Sequence, residues 1–291
     1  MHPDTWQPAS DVHDFLARAG DFLRSRPALH SIPLTVTEGL VSRGPGAYGD
    51  GEPVFGVLER AGEVGATYFR TPPNRLSLTP LGPDEADALA AHLAGRGHVL
   101  PGVGAERETA AAFASAWQRR TGVTPVLHER QRLYRLGTLT PPEPYPEGRS
   151  RVAGAQDREL LMRWYAGFVA DINGFGHTDP GDWADTRIAN GRVTLWETPD
   201  GTPVSMAGVT AMVAGQIRMA PVYTPEHLRG RGYAGAAAVA ASRAALATGA
   251  AEVLLFTDLA NPTSNGLYQR IGYRPVADFA VYAFQDTERD R

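Results

Sequence analysis

The sequence predicts a mixed α/β protein built as two units of similar size. Three observations carry that expectation: the length, a proline-rich break near the middle, and one order of elements that occurs on both sides of the break. At 291 residues the chain stands at the limit of what one core organises, since single hydrophobic cores stop growing at about 250–300 residues. Between Leu139 and Ser150 it reads Thr-Pro-Pro-Glu-Pro-Tyr-Pro-Glu-Gly-Arg. Each proline there fixes φ and removes a backbone donor, so helix and ladder both stop. The expected domains are residues 1–142 and 151–286. An apolar fraction of 43% with 21% charged residues is near the globular average, so each half can bury a core that offsets its chain entropy.

The elements follow in order. Asp11 to Arg26 is expected to be helical, because Val12, Phe15, Leu16, Ala19, Phe22 and Leu23 share one face and Pro27 ends the run. Val54–Glu59 and Val64–Phe69 form a hairpin around Ala61-Gly62. Asp84–Ala94 and Thr109–Thr121 are amphipathic helices, and Val126–Leu127 and Leu133–Leu136 close the sheet. In the second half a helix over Asp157–Ile172 precedes a hairpin of Arg192–Thr198 and Val204–Val213 across Pro199-Asp200-Gly201. Gln216–Tyr223 is a third strand, Gly232–Thr248 a long helix, Val253–Asp258 a buried strand, Asn265–Ile271 a short helix and Ala280–Phe284 a last strand. The recurring order of helix, hairpin, helix and strand suggests a duplicated fold, although no residue-level repeat accompanies it.

Charge and composition exclude several functions. A net charge of −4 gives no basic footprint for nucleic acid. Every basic residue apart from histidine is arginine, so a catalytic lysine is excluded. The absence of cysteine removes disulfides, thiolate nucleophiles and cysteine-based zinc sites, and the histidines show no metal spacing. The start, Met-His-Pro-Asp-Thr-Trp, lacks the features of a signal peptide, and no run of about 18 apolar residues could span a bilayer. The alanine-rich run from Tyr233 to Ala251 contains Arg243 and reads as a soluble helix. A cytoplasmic protein with no membrane partner is expected.

The informative segment runs from Arg218 to Pro275. Arg229-Gly230-Arg231-Gly232-Tyr233-Ala234 leads into the long helix. Amide N–H groups at a helix N-terminus lack intrahelical partners, the dipole there favours anions, and glycines let a phosphate approach the backbone. Arg229 and Arg231 can add charge-assisted donors or remain solvated surface. Downstream, Asp258-Leu-Ala-Asn261-Pro-Thr-Ser-Asn265-Gly-Leu-Tyr268 places amides and a phenol just after the next strand, and Gly272-Tyr273 closes that helix.

Here the chain resembles the GNAT acetyltransferase superfamily, whose motif [Gln/Arg]-x-x-Gly-x-[Gly/Ala] is filled by Arg229, Gly232 and Ala234. Asn261 with Tyr268 seven residues later, followed by Gly272-Tyr273, matches the superfamily's second element. The resemblance covers the second half. The first half shares the order of elements without the glycine motif, as in tandem GNAT proteins such as mycothiol synthase. It implies two GNAT-like domains, the first a degenerate copy, each a mostly antiparallel twisted sheet flanked by helices. The implied function is N-acetyl transfer from acetyl-CoA, the co-substrate, to a primary amine in a ternary complex. The acceptor class is a small amine or a peptide, and no metal is required.

By the same resemblance, Val222, Tyr223 and Thr224 would offer backbone groups to the pantetheine arm, one N–H polarising the thioester carbonyl. Arg229, Gly230, Arg231, Gly232, Tyr233 and Ala234 would hold the pyrophosphate. Asn261 would bind pantetheine or a nearby loop, and Tyr268 would protonate the departing thiolate. For Tyr268 the competing reading is a core tyrosine beside Leu267 and Ile271, and for Asn265 an N-cap of the last helix rather than a cofactor contact. The general base is poorly specified: Glu226 is the first candidate, with Glu197, Asp258 and His227 behind it. His177 and Asp179 either line an acceptor pocket or belong to a plain loop.

Two other functions compete. Gly230-x-Gly232-x-x-Gly235 also spells a dinucleotide-binding motif with Asp258 at the end of the next strand, which would suit an NAD(P) oxidoreductase. Against it, Thr224 to Arg229 separate strand from glycines, and little chain remains after Asp258 to complete a doubly wound sheet. A CoA-sensing protein without turnover is the non-enzymatic alternative.

Overall fold

The computed structural model describes residues 5–172 and 178–285. The chain folds as two compact units. The first comprises Met1–Arg132, Asp258–Ala260 and Ala277–Arg291; the second comprises Leu133–Thr257 and Asn261–Val276. The division thus falls ahead of the proline-rich stretch, and the last strand returns to the first unit.

The first half runs β1 (Thr5–Ala9), α1 (Val12–Ser25), α2 (Ser31–Arg43), β2 (Val54–Arg60), β3 (Glu63–Arg70), β4 (Leu76–Leu78), α3 (Pro83–Gly95), β5 (Gly102–Glu106), α4 (Arg107–Thr121) and β6 (Thr124–Leu136). The second runs β7 (Arg149–Val152), α5 (Arg158–Asp171), α6 (Pro180–Ala189), β8 (Val193–Glu197), β9 (Pro203–Val209), β10 (Gln216–Tyr223), α7 (Tyr233–Ala247), β11 (Glu252–Asp258), α8 (Pro262–Arg270) and β12 (Tyr273–Gln285). Both halves pass through strand, two helices, three strands, helix, strand, helix and strand, so one order of elements recurs on both sides.

In the first unit the strand order is β1-β2-β3-β4-β5, and Phe279–Ala283 of β12 pairs antiparallel with β5. The β1–β2, β2–β3, β3–β4 and β5–β12 pairings are antiparallel and the short β4–β5 pairing is parallel. The β2–β3 hairpin turns through Ala61 at φ 50° and Gly62 at φ 88°, the left-handed pair that matches strand twist. Trp6, Tyr68, Leu89, Phe113, Trp117 and Ala280 are among the buried residues of its core.

In the second unit β7-β8-β9-β10-β11 follow one another, with β6 beside β11. Neighbours are antiparallel from β7 to β10, and β10–β11 is parallel. One face packs Val239 of α7 and Tyr268 of α8 with Tyr134, Trp196, Met219 and Tyr273 of the strands; the other packs Leu161 of α5 and Trp183 of α6 with Leu195 and Met206. A sheet of this kind is not the doubly wound parallel sheet that a dinucleotide-binding reading requires.

Several elements differ from expectation. β6 is one strand of 13 residues where two short ones were expected. The strands β1, β4, β5 and β7 are too short for alternation to show. α2 escapes because its buried residues include Ser31, Pro33, Thr37 and Gly39 beside Leu34 and Leu40, so apolar side chains alone do not mark the buried side. α6 starts at Asp179-Pro180, where Asp179 caps the helix by accepting from Gly181 N at 2.8 Å and Asp182 N at 3.1 Å. Its carboxylate is therefore committed to a helix end, while His177 lies outside the described residues. Among the described residues no helix is long and apolar enough to cross a membrane, and no cluster of three metal-ligating side chains occurs.

Candidate functional site

The site begins where two parallel strands stop pairing. β10 and β11 are in register over four pairs, Gln216–Glu252 through Met219–Leu255, and the last residues of both lie outside that ladder. Next to the gap, the β9–β10 register shifts between Met219 and Val222, spanning Pro221, which has no N–H to donate. The shift rephases the strand. Met219 and Val222 both pack in the α7 cluster, whereas Tyr223 turns to the α5 side. Because adjacent N–H groups of a strand point to opposite edges, one of the two at Val222 and Tyr223 faces the gap.

Tyr223 lies against Trp164, ring centroids 6.4 Å apart, and beside Gly167 of α5. Thr224 is buried, and its hydroxyl meets Ser205 Oγ at 2.9 Å. Thr224 therefore fastens the strand end to β9.

From there Thr224 to Gly232 lead to α7. Gly230 and Gly232 stand at φ 78° and 82°, a conformation that side chains resist. Gly232 is the N-cap of α7, no side chain caps the helix, and its first turn holds no acid. The N–H groups of Tyr233, Ala234 and Gly235 therefore meet the helix dipole at an end open to an anion. Tyr233 packs partly on the α7 cluster, while Ala234 is half-buried. The proline-rich segment borders this turn. A Cβ placed on Gly232 would sit 3.6 Å from Pro146, and one on Gly235 would sit 3.4 Å from Pro142 and 3.1 Å from Leu267.

The equivalent end in the first unit is closed. α3 starts with Pro83, Asp84 and Glu85, and Glu85 Oε2 accepts from Gly82 N at 2.8 Å. Arg60 pairs with the same carboxylate. The first turn of α3 thus carries its own carboxylates, one of them on the Gly82 N–H, whereas that of α7 carries none.

The two arginines of the turn differ. Arg229 Nε donates to Thr224 O at 3.0 Å, its guanidinium pairs with Asp171 at the end of α5, and it lies 5.9 Å from the Tyr223 ring centroid. It braces the turn. Arg231 is exposed, with one 3.4 Å contact to His227 O.

On the far side, α8 starts one turn earlier than expected. Asn261 is its N-cap, accepting from Ser264 N at 3.0 Å, and Pro262 follows at the first helical position. The cap role expected of Asn265 thus belongs to Asn261. Asn265 sits inside the helix, where Nδ2 donates to Asn261 O at 2.8 Å and Oδ1 accepts from Tyr134 at 2.9 Å. Asn-Pro is a helix-start signal legible in sequence. No sequence pattern pointed to Tyr134, Ser205 or Asp171.

Tyr268 is 8% exposed and lies edge-on to Tyr273, centroids 5.9 Å apart. Burial, with Tyr273 beside it, pushes its phenol above the ordinary tyrosine range. Of the base candidates, Glu197 is buried between Arg149 and Arg151, and Asp258 accepts from Ala260 N. Glu226 and His227 are exposed on the loop before the glycine turn.

Comparison with known proteins follows these features. Residues 204–281 match the FR47-like protein family, which spans β9 to β12 and therefore the whole glycine turn. No curated protein matches the chain. Among solved structures, a GCN5-related N-acetyltransferase from Sphaerobacter thermophilus superposes with TM-score 0.63 at 19% identity, covering 97% of this chain and 96% of that one. A GNAT-family acetyltransferase from Colwellia psychrerythraea gives 0.60 at 10% identity, over 97% and 100%. A tandem GNAT protein from the clavulanic acid biosynthesis pathway gives 0.56 at 12%, over 95% and 97%. The chain thus has the fold of the GCN5-related N-acetyltransferases, and its residues 204–281 carry the FR47-like sequence.

Proposed function

We propose that the protein is an acyl-CoA-dependent N-acyltransferase whose second unit passes an acetyl or related acyl group directly to a primary amine. The observation that carries this reading is the uncapped start of α7 behind Gly230 and Gly232, set at the gap between β10 and β11. Nothing in the turn competes with a pyrophosphate for the N–H groups of Tyr233, Ala234 and Gly235. Residues 229–234 hold the phosphates, with Arg231 as the exposed cation. Val222 or Tyr223 aims an N–H at the thioester oxygen, where charge builds as the amine adds. In the transfer, a C–N bond forms and the C–S bond breaks. The nitrogen loses one proton, with Glu226 the nearest carboxylate in sequence to receive it, and the sulfur gains one from Tyr268. The chain supplies no acyl-carrying cysteine, which agrees with direct transfer.

The test is calorimetry of acetyl-CoA on the full chain. One site is expected for the wild type and none for Ala234→Asp, which places an acid where α3 has Asp84. Because Gly232 is at φ 82°, a side chain there strains the backbone whatever its charge, so Ala234 is the cleaner position. Glu85→Gln in the first unit is expected to leave binding unchanged. Unaltered binding by a folded Ala234→Asp chain would remove the central claim. Binding without release of free CoA across an amine panel would turn the reading to a CoA sensor.

A further inference from the structure

We infer that Tyr134 is a positioning residue for Tyr268. The inference rests on the reading of Tyr268 as the proton donor. Tyr134 lies in the part of β6 that belongs to the second unit and is fully buried in the α7–α8 cluster. Its hydroxyl donates to Asn265 Oδ1 at 2.9 Å and accepts from Gln269 Nε2 at 2.9 Å. Asn265 and Gln269 are one helical turn apart, so one phenol grips a full turn of α8. The grip extends to the start of the helix, because Asn265 Nδ2 donates to Asn261 O at 2.8 Å and Asn261 caps Ser264 N at 3.0 Å.

α8 has particular need of such a hold. It has nine residues, below the length at which a helix persists alone in water. Tyr268 is its one buried residue, with Leu267 only partly packed. Apolar contact at one position leaves rotation about the helix axis weakly fixed, and the Tyr134 hydroxyl fixes it through two residues on a neighbouring face. Tyr268 lies between them in sequence, so a roll of α8 moves its phenol from the sulfur it serves. A misplacement of about 1 Å can cost on the order of 100-fold in rate.

The experiment compares Tyr134→Phe, Tyr268→Phe and the double variant in the full chain, following thiol release from acetyl-CoA with an amine accepted from a panel of primary amines. Tyr134→Phe keeps the ring in the core and removes only the hydroxyl. Its kcat is expected to fall about tenfold, with KM for acetyl-CoA within about twofold. The double variant is expected to be no slower than Tyr268→Phe, because the hold has value only while the Tyr268 hydroxyl is present. Gln269→Met, at an exposed position, removes one arm of the grip without touching the core and is expected to lower kcat in the same direction.

Multiplicative losses in the double variant would make Tyr134 a purely structural residue and overturn the inference while leaving the role of Tyr268 intact. So would wild-type kcat in both Tyr134→Phe and Gln269→Met. Full activity of Tyr268→Phe would instead overturn the role of Tyr268, as would an absence of turnover with every amine, and the inference would fall with it. If Tyr134→Phe does not fold, Gln269→Met and its combination with Tyr268→Phe decide the matter by the same comparison.

Discussion

Two buried tyrosines show how environment sets what a phenol can do. Tyr268 keeps its proton well into the alkaline range, since burial disfavours the phenolate. Passing that proton completely to a thiolate, whose conjugate thiol has a pKa near 8.5, runs uphill by roughly 2 kcal/mol from a phenol at about 10, and more from one raised further. In the proposed mechanism the hydrogen bond that Tyr268 donates to the developing thiolate thus precedes the proton transfer and supplies most of its effect on rate, and Tyr268→Phe is expected to lower kcat by roughly one to two orders of magnitude, with acetyl-CoA affinity little changed. A loss confined to affinity would make Tyr268 a binding residue, and loss of stability alone would make it a core one. Tyr68, 1% exposed in β3, is a stability group. Burial pushes its pKa up to about 12 from 10.0. The folded chain holds this proton where the unfolded chain has lost it, so the contribution is complete below pH 10 and is lost as pH rises toward 12. Urea midpoints at pH 9 and 11 should fall less in Tyr68→Phe than in the wild type; equal falls would exclude Tyr68 as a source of alkaline sensitivity.

In the proposed function, the contrast between α3 and α7 is what assigns the acyl-CoA site to the second half. An acid at the second position of α7 faces the positive end of the helix, which ordinarily adds about 0.3–1 kcal/mol. Ala234→Asp should therefore leave the thermal midpoint unchanged or higher while acetyl-CoA binding is lost. A midpoint that drops together with binding would mean the turn had been damaged instead. This site was legible in sequence because its parts are local: Gly230 and Gly232 supply left-handed backbone, and the helix begins directly after them. α8 was misplaced although its signal was present, since Pro262 after Asn261 marks a first helical residue. The bulge of β10 left one mark, Pro221 inside the strand, which signals an interrupted ladder without saying where the register slips until a partner strand is present. Tyr134 was invisible for a related reason: it is 131 residues from Asn265, and no periodicity encodes a partner that distant.

Each half of the sequence is not a unit of the fold. Leu133–Leu136 complete the second unit, and Phe279–Ala283 pair with β5 in the first. Both arrangements satisfy the same apolar alternation as a sheet closed within its own half, so the sequence alone does not choose between them. A chain ending at Val276 loses Phe279, Ala280 and Val281, all buried, together with the antiparallel partner of β5. Its first unit should unfold at lower urea than the second, a separation that wild-type-like unfolding of the shortened chain would contradict. A chain starting near Arg149 loses Tyr134 as well as Pro142 and Pro146, which border Gly235 and Gly232. The proline-rich stretch is thus a wall of the glycine turn, inside the second unit and not a joint between the two. For anyone splitting the protein into two co-expressed pieces, a break between Pro142 and Pro146 opens that wall, and recovered acetyl-CoA binding becomes a direct readout of whether the pieces have rejoined.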